Sequence, residues 1–96
     1  MLKSINGKMT QDIFDGIDSK DARKLDIKVH LSARRKLDLI NSAKELVDLR
    51  IPPGNNLEAL KGNLKGFHSI RINDQWRIIF RWKDCDAYDV EIVDYH

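Results

Sequence analysis

Apolar and polar side chains alternate along much of the second half of the chain. The alternation extends over residues 67 to 72 and 76 to 82, and the turn-forming pair Asn73 and Asp74 lies between the two runs. A period of two is typical of β-strands that bury one face, so these runs predict an antiparallel hairpin.

The register of this hairpin decides which side chains are buried. A two-residue loop would put Ile70 on the same face as Arg77, whereas a three-residue loop sets Ile70 opposite Ile78. We favour the three-residue loop, because it keeps one face consistently apolar. That face carries His68, Ile70, Ile72, Trp76, Ile78, Phe80 and Trp82. The opposite face carries the arginines Arg71, Arg77 and Arg81.

Two further strands are predicted, a short one at residues 57 to 60 and a last one at residues 87 to 95. The last strand has an apolar face, formed by Tyr88, Val90 and Ile92. Asp89 and Glu91 would then lie beside the arginines. Arginines on paired strands repel one another, so their face requires either acidic neighbours or a polyanionic ligand. The alternation leaves both interpretations open.

The first half of the chain predicts helices, after a short strand at residues 1 to 5. Thr10 is a suitable N-cap for a short helix and Asp26 for a longer one, because their side-chain oxygens can accept hydrogen bonds from the first turn. The longer helix has one apolar face, formed by Val29, Ala33, Leu37 and Ile40. Residues 18 to 23 predict a loop or a frayed helix start.

The longer helix is predicted to end near Asn41. Ser42 and Glu45 have the spacing of a capping box, which indicates a short new turn through Val47. The PPG sequence at residues 52 to 54 then excludes helix. Together these elements predict an α+β fold with N-terminal helices packed on one face of a small, mainly antiparallel β-sheet.

Composition narrows the class of protein. The 96 residues fit a single domain over residues 1 to 96. We expect a cytoplasmic protein, because no apolar run approaches the roughly 18 residues of a membrane span and the N-terminus lacks a signal-peptide pattern. Cys85 is the single cysteine, which argues against an internal disulfide and a cysteine-based zinc site.

Charge is unevenly distributed although the net charge is only +2. Residues 61 to 83 contain six Lys or Arg and one acid, whereas residues 84 to 96 contain five acids and no Lys or Arg. This pattern indicates either a solvated surface with internal ion pairs or a strip that binds phosphates.

The segment LEALKGNLKGFHSIRINDQWRIIFRW (residues 57 to 82) and the ending DCDAYDVEIVDYH (residues 84 to 96) resemble the HigB branch of the RelE-like toxins. The LKG, INDQWRI and DYH elements carry the resemblance. It implies a ribosome-dependent endoribonuclease that cleaves messenger RNA in the A site of the 70S ribosome without a metal or other cofactor. It also implies inhibition by a helix-turn-helix antitoxin of the HigA type, with operator DNA bound through the toxin–antitoxin complex.

The resemblance also implies a catalytic set. Cleavage without a metal needs a base for the 2′-hydroxyl, a proton for the leaving oxygen and positive charge for the transition state. The family's catalytic arginine and lysine match Arg77 and Lys61, and the DYH ending supplies Asp94, Tyr95 and His96. Further phosphate contacts are expected from Arg71, Arg81, Lys65 and Lys83.

Some positions depart from the family. Certain members carry a histidine where this chain has Glu58, which shifts the acid–base chemistry towards Asp94 and His96. Cys85 replaces a glycine in the second hairpin turn, so either strain or a different turn type is expected there. His68 falls on the apolar face, where it is expected to be a core or rim residue, and no metal site is predicted.

Two other functions compete with this interpretation. One is a toxin of the related ParE branch, which inhibits DNA gyrase and needs none of the catalytic residues. The other is an RNA-binding module without enzymatic activity, which would explain the arginines but not the terminal histidine.

Overall fold

The alternating segments form the sheet that their pattern predicts. The structure is a computed structural model and describes residues 1–95. Its helices and strands are α1 (Lys8–Asp15), α2 (Ile27–Ser42), β1 (Glu58–Ala59), β2 (Phe67–Arg71), β3 (Trp76–Lys83) and β4 (Asp86–Asp94). The strands are antiparallel and lie in the order β1-β2-β3-β4. The α+β prediction is therefore confirmed.

The hairpin between β2 and β3 has the predicted register, which keeps the apolar side chains on one face. Ile70 lies opposite Ile78 and His68 lies opposite Phe80. The backbone N–H of Ile72 donates to the carbonyl of Trp76 at 2.9 Å. The three-residue loop is therefore confirmed. The side-chain oxygen of its first residue, Asn73, accepts hydrogen bonds from the N–H groups of Gln75 and Trp76.

The helices cover the apolar face of this sheet. Along α2 the predicted face is confirmed, since Ala33, Leu37 and Ile40 are completely buried. They pack in one core with the buried strand residues Ile70, Ile78, Phe80, Ala87, Val90 and Ile92. Within residues 1–95, no helix is long and apolar enough to span a membrane.

Helix capping follows the prediction at α2 but not at α1. The Asp26 carboxylate accepts a hydrogen bond from the Lys28 N–H at 3.0 Å, as expected. The predicted N-cap Thr10 is wrong, because α1 begins after Gly7 and Thr10 lies inside it. The Thr10 hydroxyl instead accepts a hydrogen bond from the buried N–H of Ile92 at 3.0 Å. A buried backbone donor needs a partner, so this contact fixes α1 against β4.

The predicted capping box is also displaced. Helix α2 continues to Ser42 and ends where Ala43 adopts an extended conformation. The capping box is formed by Glu45 and Asp48, around the 3₁₀ turn Leu46–Arg50. The pairing of Ser42 with Glu45 is therefore wrong.

The N-terminal segment forms less of a strand than its sequence predicts. Leu2 and Ile5 make isolated parallel bridges to Ala87 and Val90 of β4. Between the bridges the Ser4 hydroxyl accepts a hydrogen bond from the Asp89 N–H at 2.7 Å. A side chain thus replaces one backbone partner at this edge of the sheet.

A β-bulge in β4 reverses one prediction. The pairing with β3 shifts between Ile79 and Arg81, and Asp89 has a positive φ of 53°. The extra residue of a bulge changes which side chains point to each face. Tyr88 therefore lies opposite Arg81 on the face away from the helices, and its assignment to the apolar face is wrong.

The backbone is strained in the turn between β3 and β4, as expected. Asp84 and Cys85 both have positive φ, at 50° and 66°. A left-handed conformation costs an L-residue roughly 1–2 kcal/mol, which glycine avoids. We therefore expect Cys85→Gly to raise the free energy of unfolding by about 1 kcal/mol in urea denaturation. An equal or lower midpoint in Cys85→Gly, with Cys85→Ser as the control for loss of the thiol, would contradict this.

Candidate active site

The sheet has an outer face, defined here as the side away from the helices, on which the arginines lie. Arg71 of β2 lies directly opposite Arg77 of β3, and Arg81 lies opposite Phe67. The two arginines of β3 are separated by four residues, or about 13 Å along an extended strand. The outer face therefore carries positive charge at both of its ends.

Arg77 stands out by its unpaired donors. Its Nε and Nη1 atoms are shielded from solvent, and they have no hydrogen-bond partner among residues 1–95. In the same part of the chain, no carboxylate forms an ion pair with it. Buried donors without acceptors are unusual in native proteins and cost free energy. Anionic oxygens that accept from these atoms would remove this cost.

The other two arginines are paired with acids. Arg71 forms an ion pair with Asp74 in the adjoining turn. The Nε atom of Arg81 lies 3.3 Å from an Asp89 carboxylate oxygen. The acidic-neighbour interpretation is therefore confirmed for Arg81, while Arg77 keeps the arrangement expected of a ligand-binding arginine.

The end of the chain approaches Arg77 through Tyr95. The Arg77 guanidinium carbon lies 4.7 Å from the centroid of the Tyr95 ring. The Tyr95 N–H donates to the Gln75 carbonyl at 2.8 Å, and the Gln75 amide donates to Asp94 at 3.0 Å. Gln75 thus fixes Asp94 and Tyr95 beside β3. His96 lies outside the described residues.

The lysines lie at the rim of the sheet. Lys61, Lys65 and Lys83 are all exposed. The N–H of Leu60 donates to the Phe67 carbonyl at 2.9 Å, so the backbone that leads to Lys61 runs beside the start of β2. This is the end of the sheet with Arg81, whereas Tyr95 lies at the Arg77 end. Of the predicted catalytic residues, the described part of the structure brings Arg77 and Tyr95 into contact.

His68 belongs to the opposite face. It is half-buried, and its ring centroid lies 5.9 Å from that of Phe80. Burial lowers the pKa of His68 below its usual value, which favours the neutral imidazole. As predicted, it is a rim residue of the core. Among residues 1–95, no three His, Cys, Asp or Glu side chains are grouped as metal ligands would be.

Three contributors to the outer face were missed by sequence reasoning. Gln75 falls in the predicted three-residue loop. Its contacts with Asp94 and Tyr95 can be inferred only once the register of the strands is known. Tyr88 was misplaced because a bulge leaves no clear signal in an alternating pattern. The stacking of Arg81 on Phe67, at 4.2 Å, follows from the register but was not anticipated.

An open groove of about 780 Å³ lies on another side of the molecule, along α2. It is lined by α2 residues together with Pro52 and Ile72, and none of the predicted catalytic residues contributes to it. The site around Arg77 instead lies on the outer face of the sheet, where Arg77 is half-buried and Tyr95 is exposed. Such a surface suits an extended strand better than a small enclosed molecule.

Comparison with known proteins shows the family. The family model of the RelE-like toxin of type II toxin–antitoxin system HigB matches residues 5–96. Toxin HigB-1 of Vibrio cholerae serotype O1 is 48% identical over 67 residues, which are 70% of this chain and 70% of that protein. Endoribonuclease HigB of Proteus vulgaris is 29% identical, with 100% of both chains covered.

Solved structures share the fold at low sequence identity. A YafQ variant from E. coli has a TM-score of 0.64 at 14% identity, with 99% of this chain and 94% of that chain covered. The toxin–antitoxin complex YoeB-YefM from Staphylococcus aureus has a TM-score of 0.58 at 20% identity, with 100% and 98% covered. With its helices packed on one face of an antiparallel sheet and the family match over nearly its whole length, this chain is a member of the HigB family of RelE-like toxins of type II toxin–antitoxin systems.

Proposed function

We propose that this toxin is a metal-independent endoribonuclease that cleaves messenger RNA in the A site of the 70S ribosome. The observation that carries the proposal is a pair of Arg77 donors on the outer face beside Tyr95, which are shielded from solvent and have no hydrogen-bond partner among residues 1–95. A guanidinium can hold two oxygens of one phosphate and keeps its charge at any physiological pH. The Proteus vulgaris relative is named an endoribonuclease, which supports the same activity here.

In the proposed reaction the 2′-hydroxyl of one nucleotide attacks the adjacent phosphorus. The bond to the 5′-oxygen of the next nucleotide breaks, which leaves a 2′,3′-cyclic phosphate and a 5′-hydroxyl. Asp94 or His96 removes the proton from the attacking hydroxyl, and His96 is suited to protonate the leaving oxygen. Arg77 stabilises the negative charge on the non-bridging oxygens. Lys61 lies towards the Arg81 end of the sheet, so its cation is assigned to a neighbouring phosphate of the same strand.

Tyr95 controls access to Arg77 in this proposal. Tyr95 is 45% exposed and is not part of the buried core, so its ring can move without disturbing the core. A shift of the ring away from the guanidinium opens the donors to a phosphate. Aromatic rings also stack on unpaired bases, so the displaced Tyr95 can hold the nucleotide next to the cut.

The proposed partners follow from the family. We infer that a helix-turn-helix antitoxin of the HigA type inhibits the toxin and that their complex binds operator DNA. The Staphylococcus aureus neighbour was solved as a toxin–antitoxin complex, which supports an antitoxin partner for this fold.

The activity is tested with messenger RNA on programmed 70S ribosomes. We expect cleavage within the A-site codon, no cleavage of the same RNA free in solution, and a cyclic phosphate at the new 3′ end. A message with a 2′-deoxy nucleotide at the cut position should stay intact, because it lacks the attacking hydroxyl. Cleavage of that message would contradict the mechanism. An intact normal message, combined with inhibition of gyrase-driven supercoiling, would favour a ParE-like activity.

A further inference from the structure

Phe67 and Arg81 form a second arginine–aromatic pair on the outer face, far from Arg77. We propose that this pair is a stacking subsite for one nucleobase of single-stranded messenger RNA, several nucleotides along from the cut. The inference rests on the proposed ribonuclease function and adds to it a contact with the bases. It differs from the expectation that Arg81 only binds phosphate.

The Arg81 guanidinium is held in place from two sides. Its carbon lies 4.2 Å from the centroid of the Phe67 ring, which belongs to the residue directly opposite on β2. Its Nε atom lies 3.3 Å from the Asp89 carboxylate, at the bulge of β4. With one face against a ring and one edge against an acid, the guanidinium has little freedom to turn. A fixed planar cation is a surface on which a base can stack.

The same geometry makes Arg81 a poorer phosphate ligand than Arg77. Its charge is already paired with Asp89, whereas two donors of Arg77 have no hydrogen-bond partner among residues 1–95. The Arg81 side chain is nevertheless 50% exposed, so part of it remains accessible to a ligand. A cation that is stacked, charge-paired and partly exposed is better suited to stacking than to forked hydrogen bonding.

Gly66 lies close to the Arg81 guanidinium. A side chain there would begin 3.2 Å from the Arg81 Nη1 atom, and Gly66 also has a positive φ of 94°. On the other flank, the bulge places Tyr88 opposite Arg81 on the outer face. The exposed Lys65 and Lys83 lie nearby in sequence and can contact the flanking phosphates without reading the bases.

The separation from Arg77 defines which nucleotide the subsite can hold. The two arginines of β3 are about 13 Å apart, so the stacked base cannot belong to the phosphate that is cut. It belongs to a nucleotide that does not adjoin the cut, in a strand that crosses the sheet along β3. Since every base has a stacking face, the subsite contributes affinity with little base preference.

The test uses ribosomes programmed with a message that carries 2′-O-methyl groups at the cut, so that it binds without being cleaved. A single 2-aminopurine, whose fluorescence falls when it stacks, is placed at each position in and around the A-site codon in turn. We expect the wild-type toxin to quench one position that does not adjoin the cut. Arg81→Lys and Phe67→Leu should each lose most of this quenching, because both remove a planar group of the pair.

Cleavage of the unmodified message provides the second measurement. Both variants should raise KM about tenfold, a typical effect of losing one stacked base, and change kcat less than about threefold. The control is Arg23→Lys, since Arg23 is also ion-paired to an aspartate but lies far from the sheet, between α1 and α2. It should match the wild type in both assays.

Distinct outcomes overturn the two proposals. Unchanged quenching and KM in Arg81→Lys and Phe67→Leu would overturn the stacking subsite alone. So would a KM that rises in Arg81→Ala but not in Arg81→Lys, because that pattern indicates a simple phosphate contact. If the wild type leaves the unmodified message uncut, the ribonuclease proposal itself fails.

Discussion

Arg77→Ala is expected to slow the cleavage of messenger RNA on the ribosome about 100- to 1000-fold, the loss typical of removing one preorganised donor to a transition-state oxygen. The reason is specific to this arginine. Its Nε and Nη1 atoms have no acceptor within residues 1–95, so a phosphate can supply one once the Tyr95 ring moves aside. Arg77→Lys keeps the charge but not the fork of two donors, and an intermediate rate is expected. Single-turnover cleavage at saturating toxin measures the effect.

The stability of the same variant separates catalysis from folding. Removal of unpartnered donors should change the free energy of unfolding by less than about 1 kcal/mol, since the contact with Tyr95 is the main interaction lost. Arg23→Ala, which breaks a surface ion pair, is the matched control and should cleave like the wild type. A rate within threefold of wild type for a folded Arg77→Ala protein would exclude Arg77 as the principal catalytic residue.

Phe80→Ala is expected to lower the free energy of unfolding by about 3–5 kcal/mol. Phe80 is completely buried in the centre of β3, where its ring packs between those of His68 and Trp82. Small domains have a total stability of only about 5–15 kcal/mol, so this single cavity removes a large part of it. Urea denaturation followed by tryptophan fluorescence measures the loss.

A surface truncation provides the comparison for Phe80. Leu31 is 60% exposed on α2, and alanine is a good helix former, so Leu31→Ala should change the stability by less than about 0.5 kcal/mol. Equal losses in Leu31→Ala and Phe80→Ala would contradict the placement of the core between α2 and the sheet.

The register of the β2–β3 hairpin was predictable from the sequence, because successive side chains of a strand point to opposite faces of the sheet. One residue more or less in the loop after Ile72 would have moved Arg77 to the apolar face, and only one choice buried a consistent set. The face of Arg71, Arg77 and Arg81 followed from the same choice. The buried face of α2 was equally predictable, since its spacing matches a helix.

Local hydrogen bonding was less predictable, because one side chain can serve several partners. Thr10 has the composition of an N-cap, yet its hydroxyl accepts from the N–H of Ile92, a residue 82 positions away. The bulge at Asp89 likewise depends on contacts with the N-terminal segment and Arg81 rather than on the alternation of β4. It moved Tyr88 to the outer face.

The candidate site was predictable only in part, because its side chains make contacts with segments that are distant in the sequence. The resemblance named Arg77, but the sequence alone could not show that Arg71 and Arg81 have acidic partners while Arg77 has unpartnered donors. Nor could it show that Gln75 fixes the strand end near Tyr95. These features depend on three-dimensional contacts between segments. The catalytic role of His96, which lies outside the described residues, stays a prediction.

The most direct test of the central claim is to locate the RNA on the protein. Ribosomes are programmed with an uncleavable message that carries 4-thiouridine in the A-site codon, the toxin is added, and crosslinked residues are identified by mass spectrometry after irradiation. Crosslinks to the outer face, at Tyr95 and at its neighbours on β2, β3 and β4, are the predicted result. Crosslinks confined to α1 and α2, with the outer face unmodified, would contradict it.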